Sequence, residues 1–182
     1  MGDLRDKNDR AIRAFLQPVV AAVGANIPIY ITNDSDSRNI AAGPGLVDVE
    51  TSQGAESPLG SGNYSLTTII RAKMPSTIQV GQNSSDPSMA RLDMSALIAA
   101  VHDALHQSDN GQDYAYTAAQ ITAAGNALAT APATEADNAD MVNYSCVSLV
   151  HGNLMGGKPS TKEIDFVELI TLTVNVVGFG GY

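Results

Sequence analysis

The sequence has a single cysteine, Cys146, and no tryptophan. One thiol excludes a disulfide framework within the chain, and its apolar surroundings read as a buried, inert position. Aromatic residues make up 5% of the chain, so a core must be built from Val, Ile, Leu, Ala and Met. Basic residues are also scarce: 10 Lys and Arg stand against 19 Asp and Glu, a formal net charge of −9. With no Lys/Arg run, the chain lacks the surplus that wrapping nucleic acid requires. Negative charge keeps a free subunit soluble and repels phosphates, as would suit a pore through which DNA slides. Long hydrophobic runs are missing as well. The longest apolar stretch, Phe15 to Ile31, is interrupted by Gln17, Pro18, Gly24, Asn26 and Pro28, whereas a membrane span needs ~20 mostly apolar residues. Asp3, Asp6 and Asp9 do not fit the basic start of a secretory signal. The Asn-x-Ser triplets at Asn33, Asn63, Asn83 and Asn143 matter only in a secretory setting, which one cysteine does not support. The expected place of synthesis is the cytoplasm.

What is present points to one globular domain. The chain has 182 residues, 44% hydrophobic and 16% charged, enough to bury a core without staples. Ile12, Phe15, Leu16, Val19 and Val23 mark one face of a helix from about Asn8 to Val23. Pro18 is expected to kink or restart it, and Gly24 to stop it. Ile27–Thr32 reads as a short strand that Pro28 confines to an edge, and Leu46–Thr51 as a second. Ser52 to Gly62 is a Gly- and Pro-bearing connection with no periodicity of its own. From Asn63 to Met74 the residues alternate, with Tyr64, Leu66, Thr68, Ile70, Ala72 and Met74 on one face. That is a half-buried antiparallel strand, and with the preceding strand it suggests a long hairpin. After a polar connection, Asp93 caps a helix to about Gln107, with Met94, Leu97, Ile98, Val101 and Leu105 inward. An Ala-rich third helix starts at Thr117, where Thr-Ala-Ala-Gln resembles a capping box. An acidic connection over Pro132–Asp140, strands at Tyr144–Val150 and Ile164–Val177, and a Gly-rich end complete the chain. The expected fold class is α+β: a mostly antiparallel sheet with a long hairpin, packed by two to three helices.

No residue set reaches the grade of a catalytic, cofactor or metal site. Gly152-Asn-Leu-Met-Gly-Gly-Lys158 approaches a phosphate-binding loop, but Pro159 replaces the required Ser or Thr and a strand pattern follows. A connection between strands is the better reading. His102 and His106 stand one helical turn apart, with Asp103 and Asp109 nearby. Two histidines so spaced can hold zinc; the spelling His-Asp-Ala-Leu-His lacks the catalytic Glu of a zinc protease. Asn33, Asp34 and Asp36 lack the Gly and closing Glu of a calcium loop and read as a turn. His151 reads as a structural residue at a strand end. No G-x-S-x-G elbow occurs.

Several segments carry a family likeness. They are Arg10-Ala-Ile-Arg-Ala-Phe-Leu, Ile29-Tyr-Ile, Leu46-Val-Asp-Val-Glu, Gly62-Asn-Tyr-Ser-Leu-Thr, Leu97-Ile-Ala-Ala-Val-His-Asp-Ala-Leu and Ile170-Thr-Leu-Thr-Val-Asn-Val. Their order, an amphipathic helix, a strand, two strands around a polar loop, a helix and a final strand, resembles the tail terminator (tail completion) proteins of long-tailed bacteriophages. The resemblance implies a non-enzymatic virion protein of the neck. Its copies form a ring, usually of six subunits, that caps the tail tube and meets the head connector. Implied partners are other copies of the chain, the tail tube protein and the connector or stopper. DNA would be passing cargo, no cofactor or membrane is implied, and the protein would reside in the host cytoplasm until assembly. Residues 1–182 are then one domain with an insertion at 111–140. Glu56, Pro58, Leu59 and Tyr64, in and beside the Gly-rich connection, are the expected interface residues, with Phe179 and Tyr182 in the C-terminal tail. Other neck, minor capsid or decoration proteins are the alternative, and a small metal-dependent hydrolase using His102 and His106 is the remote one.

Overall fold

The computed structural model describes residues 4–24, 27–31, 46–52, 54, 56, 59, 62–75, 96–97, 99–107, 115–130, 141–151, 155–156 and 163–176. Helix α1 (Leu4–Val23) starts a turn earlier than the apolar spacing suggests. It buries Ala11, Ile12, Phe15, Leu16 and Val20, with Val19 and Val23 packed partly against the core. Pro18 lies on its exposed side, and the helix neither ends nor restarts there. The amide of Gly24 donates to the Val20 carbonyl at 3.2 Å and closes the last turn.

Residues 96–97 and 99–105 are helical and form α2, ending where the His106 amide donates to the His102 carbonyl at 2.9 Å. Helix α3 spans Ala115–Leu128. Its start differs from the expected cap at Thr117. That residue already lies inside the helix, buried, and its hydroxyl donates to the Gln107 carbonyl at 2.8 Å. Thr117 therefore ties the beginning of α3 to the end of α2. Much of the segment expected as an insertion is integral to the core, since Ala118 and Ile121 of α3 are fully buried in it.

Among the described residues six strands form one sheet: β1 (Ile29–Ile31), β2 (Leu46–Ser52), β3 (Asn63–Pro75), β4 (Tyr144–His151), β5 (Met155–Gly156) and β6 (Glu163–Val176). The order is β1-β2-β3-β6-β4, with β5 also paired to β6. β1 runs parallel to β2; every other pairing is antiparallel, so the sheet is mixed and the fold is α+β. β2 and β3, which flank the 53–62 connection, pair from Leu46↔Lys73 to Ser52↔Thr67. β1 forms an edge: Pro28 just before it contributes only its carbonyl, which accepts from the Val47 amide at 2.9 Å. The longest pairing joins β3 to β6, from Asn63↔Asn175 to Pro75↔Glu163.

Alternation sorts the two faces of the sheet. Val47, Val49 and Thr51 on β2, Leu66, Thr68 and Ile70 on β3, and Tyr144, Cys146 and Leu149 on β4 are buried. They meet α1, which packs on β1, β2 and α3, and α3, which packs on β4. The intervening residues Ser52, Thr67, Ile69, Val147 and Val150 are exposed or half-buried.

Candidate functional site

Of the residues expected to form an interface, Glu56, Leu59 and Tyr64 are described; Pro58, Phe179 and Tyr182 lie outside the described residues. Glu56 and Tyr64 form an isolated antiparallel bridge at the base of the connection between β2 and β3. The Glu56 carboxylate accepts a hydrogen bond from the Gly62 amide at 2.8 Å. Gly62 has φ 72°, a conformation that suits glycine and strains side chains. Gly54 is just as constrained: a Cβ there would stand 1.3 Å from the Ser65 carbonyl oxygen. Two glycines and one carboxylate thus fix the base of the connection. Within the connection Leu59 is 93% exposed. An exposed apolar side chain in a connection with a fixed base is a feature that a docking contact can use.

The second notable constellation is inside. Asn8 on α1 donates its amide to the hydroxyls of Thr51 on β2 and Thr68 on β3, both at 2.9 Å. The two hydroxyls lie 2.8 Å apart. The Tyr144 hydroxyl donates to Asn8 Oδ1 at 2.8 Å, and the Thr51 hydroxyl donates to the Asp9 carboxylate. Every member is buried. Burial pushes Asp9 up to about 7, against the lowering effect of its Thr51 bonds. Burial likewise raises Tyr144 well above its ordinary value. Cys146, beside this group on β4, is pushed up to about 12 by burial and remains a thiol. The network clasps the first turns of α1 to three strands, and it can retain a proton on Asp9 at near-neutral pH.

Sequence reasoning missed this cluster because Lys7, Asn8 and Asp9 look like the solvated start of a helix. A signal was present: Asn8 precedes Ile12 by four residues and Phe15 by seven, so it shares their stripe. On the other side of the sheet, Arg71 joins Glu50 at 2.5 Å and lies 3.6 Å from Asp48.

The remaining candidates are placed as follows. The rings of His102 and His106 stack with centroids 3.9 Å apart and planes 16° from parallel. His102 Nδ1 is 3.6 Å from a carboxylate oxygen of Asp103; Asp109 lies outside the described residues. Among the described residues no three His, Cys, Asp or Glu gather as metal ligands would. Met155–Gly156, within the Gly152–Lys158 stretch, pairs with Val167 and Phe166 of β6. Among the described residues the next element is strand β6 and not the helix that a phosphate loop leads into. Gly152, Lys158, Pro159, Asn33, Asp34 and Asp36 lie outside the described residues. Among those described, no helix is long and apolar enough to cross a membrane.

No family model matches the chain, and no curated protein matches it in sequence.

Proposed function

We propose that this is a structural virion protein, a tail terminator. Its copies close into a ring, hexameric by the family pattern, that caps the tail tube and joins it to the head connector. The observation that carries the reading is the connection between β2 and β3, where Leu59 stands 93% exposed above a base pinned by Glu56, Gly54 and Gly62. Burying such a leucine against a partner would remove its apolar surface from water. A net charge of −9 supports a ring through which DNA passes without sticking. The partners are other copies of the chain, the tail tube protein and the connector.

Electron microscopy of the purified protein mixed with tail tubes tests this. Rings, or density added at one tube end, are expected for the natural chain. Leu59→Asp should keep the circular dichroism and melting of the parent while losing at least about tenfold in tube-end occupancy, since a charge replaces a hot-spot anchor. Full occupancy by Leu59→Asp would remove the role of the loop. Density on capsid shells instead of tube ends would replace the terminator reading with that of a decoration protein.

A further inference from the structure

Three of the exposed large hydrophobic residues fall on one short stretch: Val142 at 59%, Val147 at 52% and Val150 at 61% exposure. That stretch is the rim strand β4 and the turn leading into it. Exposed rims are ordinarily guarded by charge, by proline, by a bulge or by a covering element. Two of these devices protect the first half of β4. The Cys146 amide donates to the Thr122 hydroxyl of α3 at 2.8 Å. With its amide oriented to satisfy both carbonyls, Asn126 of α3 donates to Met141 at 2.7 Å and Tyr144 at 3.0 Å. A bulge follows between Cys146 and Ser148. From the bulged Val147 to Val150 the strand bears neither charge nor proline. From Met141 to Gly157 there is in fact no Asp, Glu, Lys or Arg, in a chain of net charge −9.

That absence of charge decides what can sit there. A strongly cationic partner would be drawn to the acidic remainder of the surface, and β4 offers it no carboxylate. Two copies of this chain repel each other over most approaches, because each carries the same excess charge. An uncharged, valine-bearing rim is where that repulsion is weakest and apolar burial is available. We infer that the rim of β4 is the surface through which one copy of this chain meets another, with Val147 and Val150 at the centre of the contact and Val142 at its margin. This deepens the ring reading, on which it rests for the identity of the partner, by naming the surface used. Three valines are too few for a stable contact of about 800 Å² per partner, so neighbouring polar residues complete its margin and the association is concentration-dependent.

Sedimentation velocity of the full-length chain, without tubes, over a concentration series is the test. The natural chain is expected to self-associate. Raising salt should strengthen the association, because screening removes like-charge repulsion. Val147→Asp with Val150→Asp should shift the midpoint at least about tenfold to higher concentration, as expected for charging the centre of an interface. A labelling experiment covers the case in which that variant fails to fold. Val150→Cys should react with a maleimide quickly in dilute solution and slowly in concentrated solution, while Ala123→Cys, exposed on α3, reacts equally fast in both. Cys146 is silent because it is buried. A natural chain that stays monomeric throughout, or a Cys at position 150 equally reactive at all concentrations, would overturn the inference. Association through β4 with no binding to tube ends would uphold it while removing the terminator reading. Tube-end binding with unaltered association of the double variant would do the reverse.

Discussion

Asp9 is the residue whose chemistry reaches furthest beyond its own contacts. Its carboxyl is raised from an ordinary 3.8 to about 7, first by burial and further by Asp6 and Glu50, with the Thr51 bonds opposing. Between pH 3.8 and about 7 the folded chain holds a proton that the unfolded chain has released. Protons bound by the unfolded state are then fewer, so stability falls as pH rises through this window and levels off above it. The difference of roughly three pH units corresponds to on the order of 4 kcal/mol. Asp9→Asn keeps an oxygen to accept from Thr51 and removes the charge. It should match the natural chain near pH 4 and exceed it by a few kcal/mol at pH 8, as judged by urea midpoints at both values. A variant with the same loss of stability between pH 4 and 8 as its parent would show that Asp9 is not the group titrating. The neighbours of Asp9 explain why the cluster escaped sequence reasoning. Asn8, Thr51, Thr68 and Tyr144 come from four separate elements, and a polar side chain is legible as buried only once its partners are known.

At the level of elements, the apolar pattern carried more. Ile12, Phe15 and Leu16 face the core of α1, and Leu66, Thr68 and Ile70 face that of β3, as spacing and alternation imply. What could not be read is how the elements meet. The β3–β6 register links residues about a hundred positions apart, and the parallel β1–β2 pair has no local marker. The close approach of α1 and α3 is equally non-local. At Gly125 a Cβ would stand 2.9 Å from the Tyr144 ring and 3.0 Å from the Ala11 Cβ. Ala11 cannot swing aside, and Tyr144 is tethered through its hydroxyl to Asn8. Here the gain in helix propensity over glycine, about 1 kcal/mol, is outweighed by overpacking once the side chain is large. Gly125→Leu should lower stability by about 2 kcal/mol or more, while Ala123→Leu on the exposed side of the same helix stays within about 0.5 kcal/mol. Paired chemical denaturation of the two variants checks this; equal effects would mean that the helices do not touch at Gly125.

For the whole molecule, the question is whether residues 111–140 decorate a finished domain or complete it. A family insertion would normally be removable, because loops and their ends lie outside the core. Here Thr117 binds the end of α2, Thr122 and Asn126 cover the rim of β4, and Ala118 and Ile121 fill the interior beside Ala11. Without α3, Tyr144 and Cys146 would lose one wall of their surroundings, and the Met141 and Tyr144 carbonyls would lose their donor. The physical expectation is one cooperative unit in which α3 is a structural member rather than an appendage. Far-ultraviolet circular dichroism and tyrosine fluorescence should therefore report coincident urea transitions for the full chain. Replacing 111–140 by a short Gly-Ser linker should abolish the cooperative transition, since it removes Ala118 and Ile121 from the core and uncovers Ala11, Met141 and Tyr144, at about 1.5–3 kcal/mol for each large side chain taken out or laid bare, comparable with the whole stability of a domain. A linker variant that still unfolded in one sharp transition would place α3 outside the folding unit. The contact through β4 would then have to form without the helix that shields half of that rim.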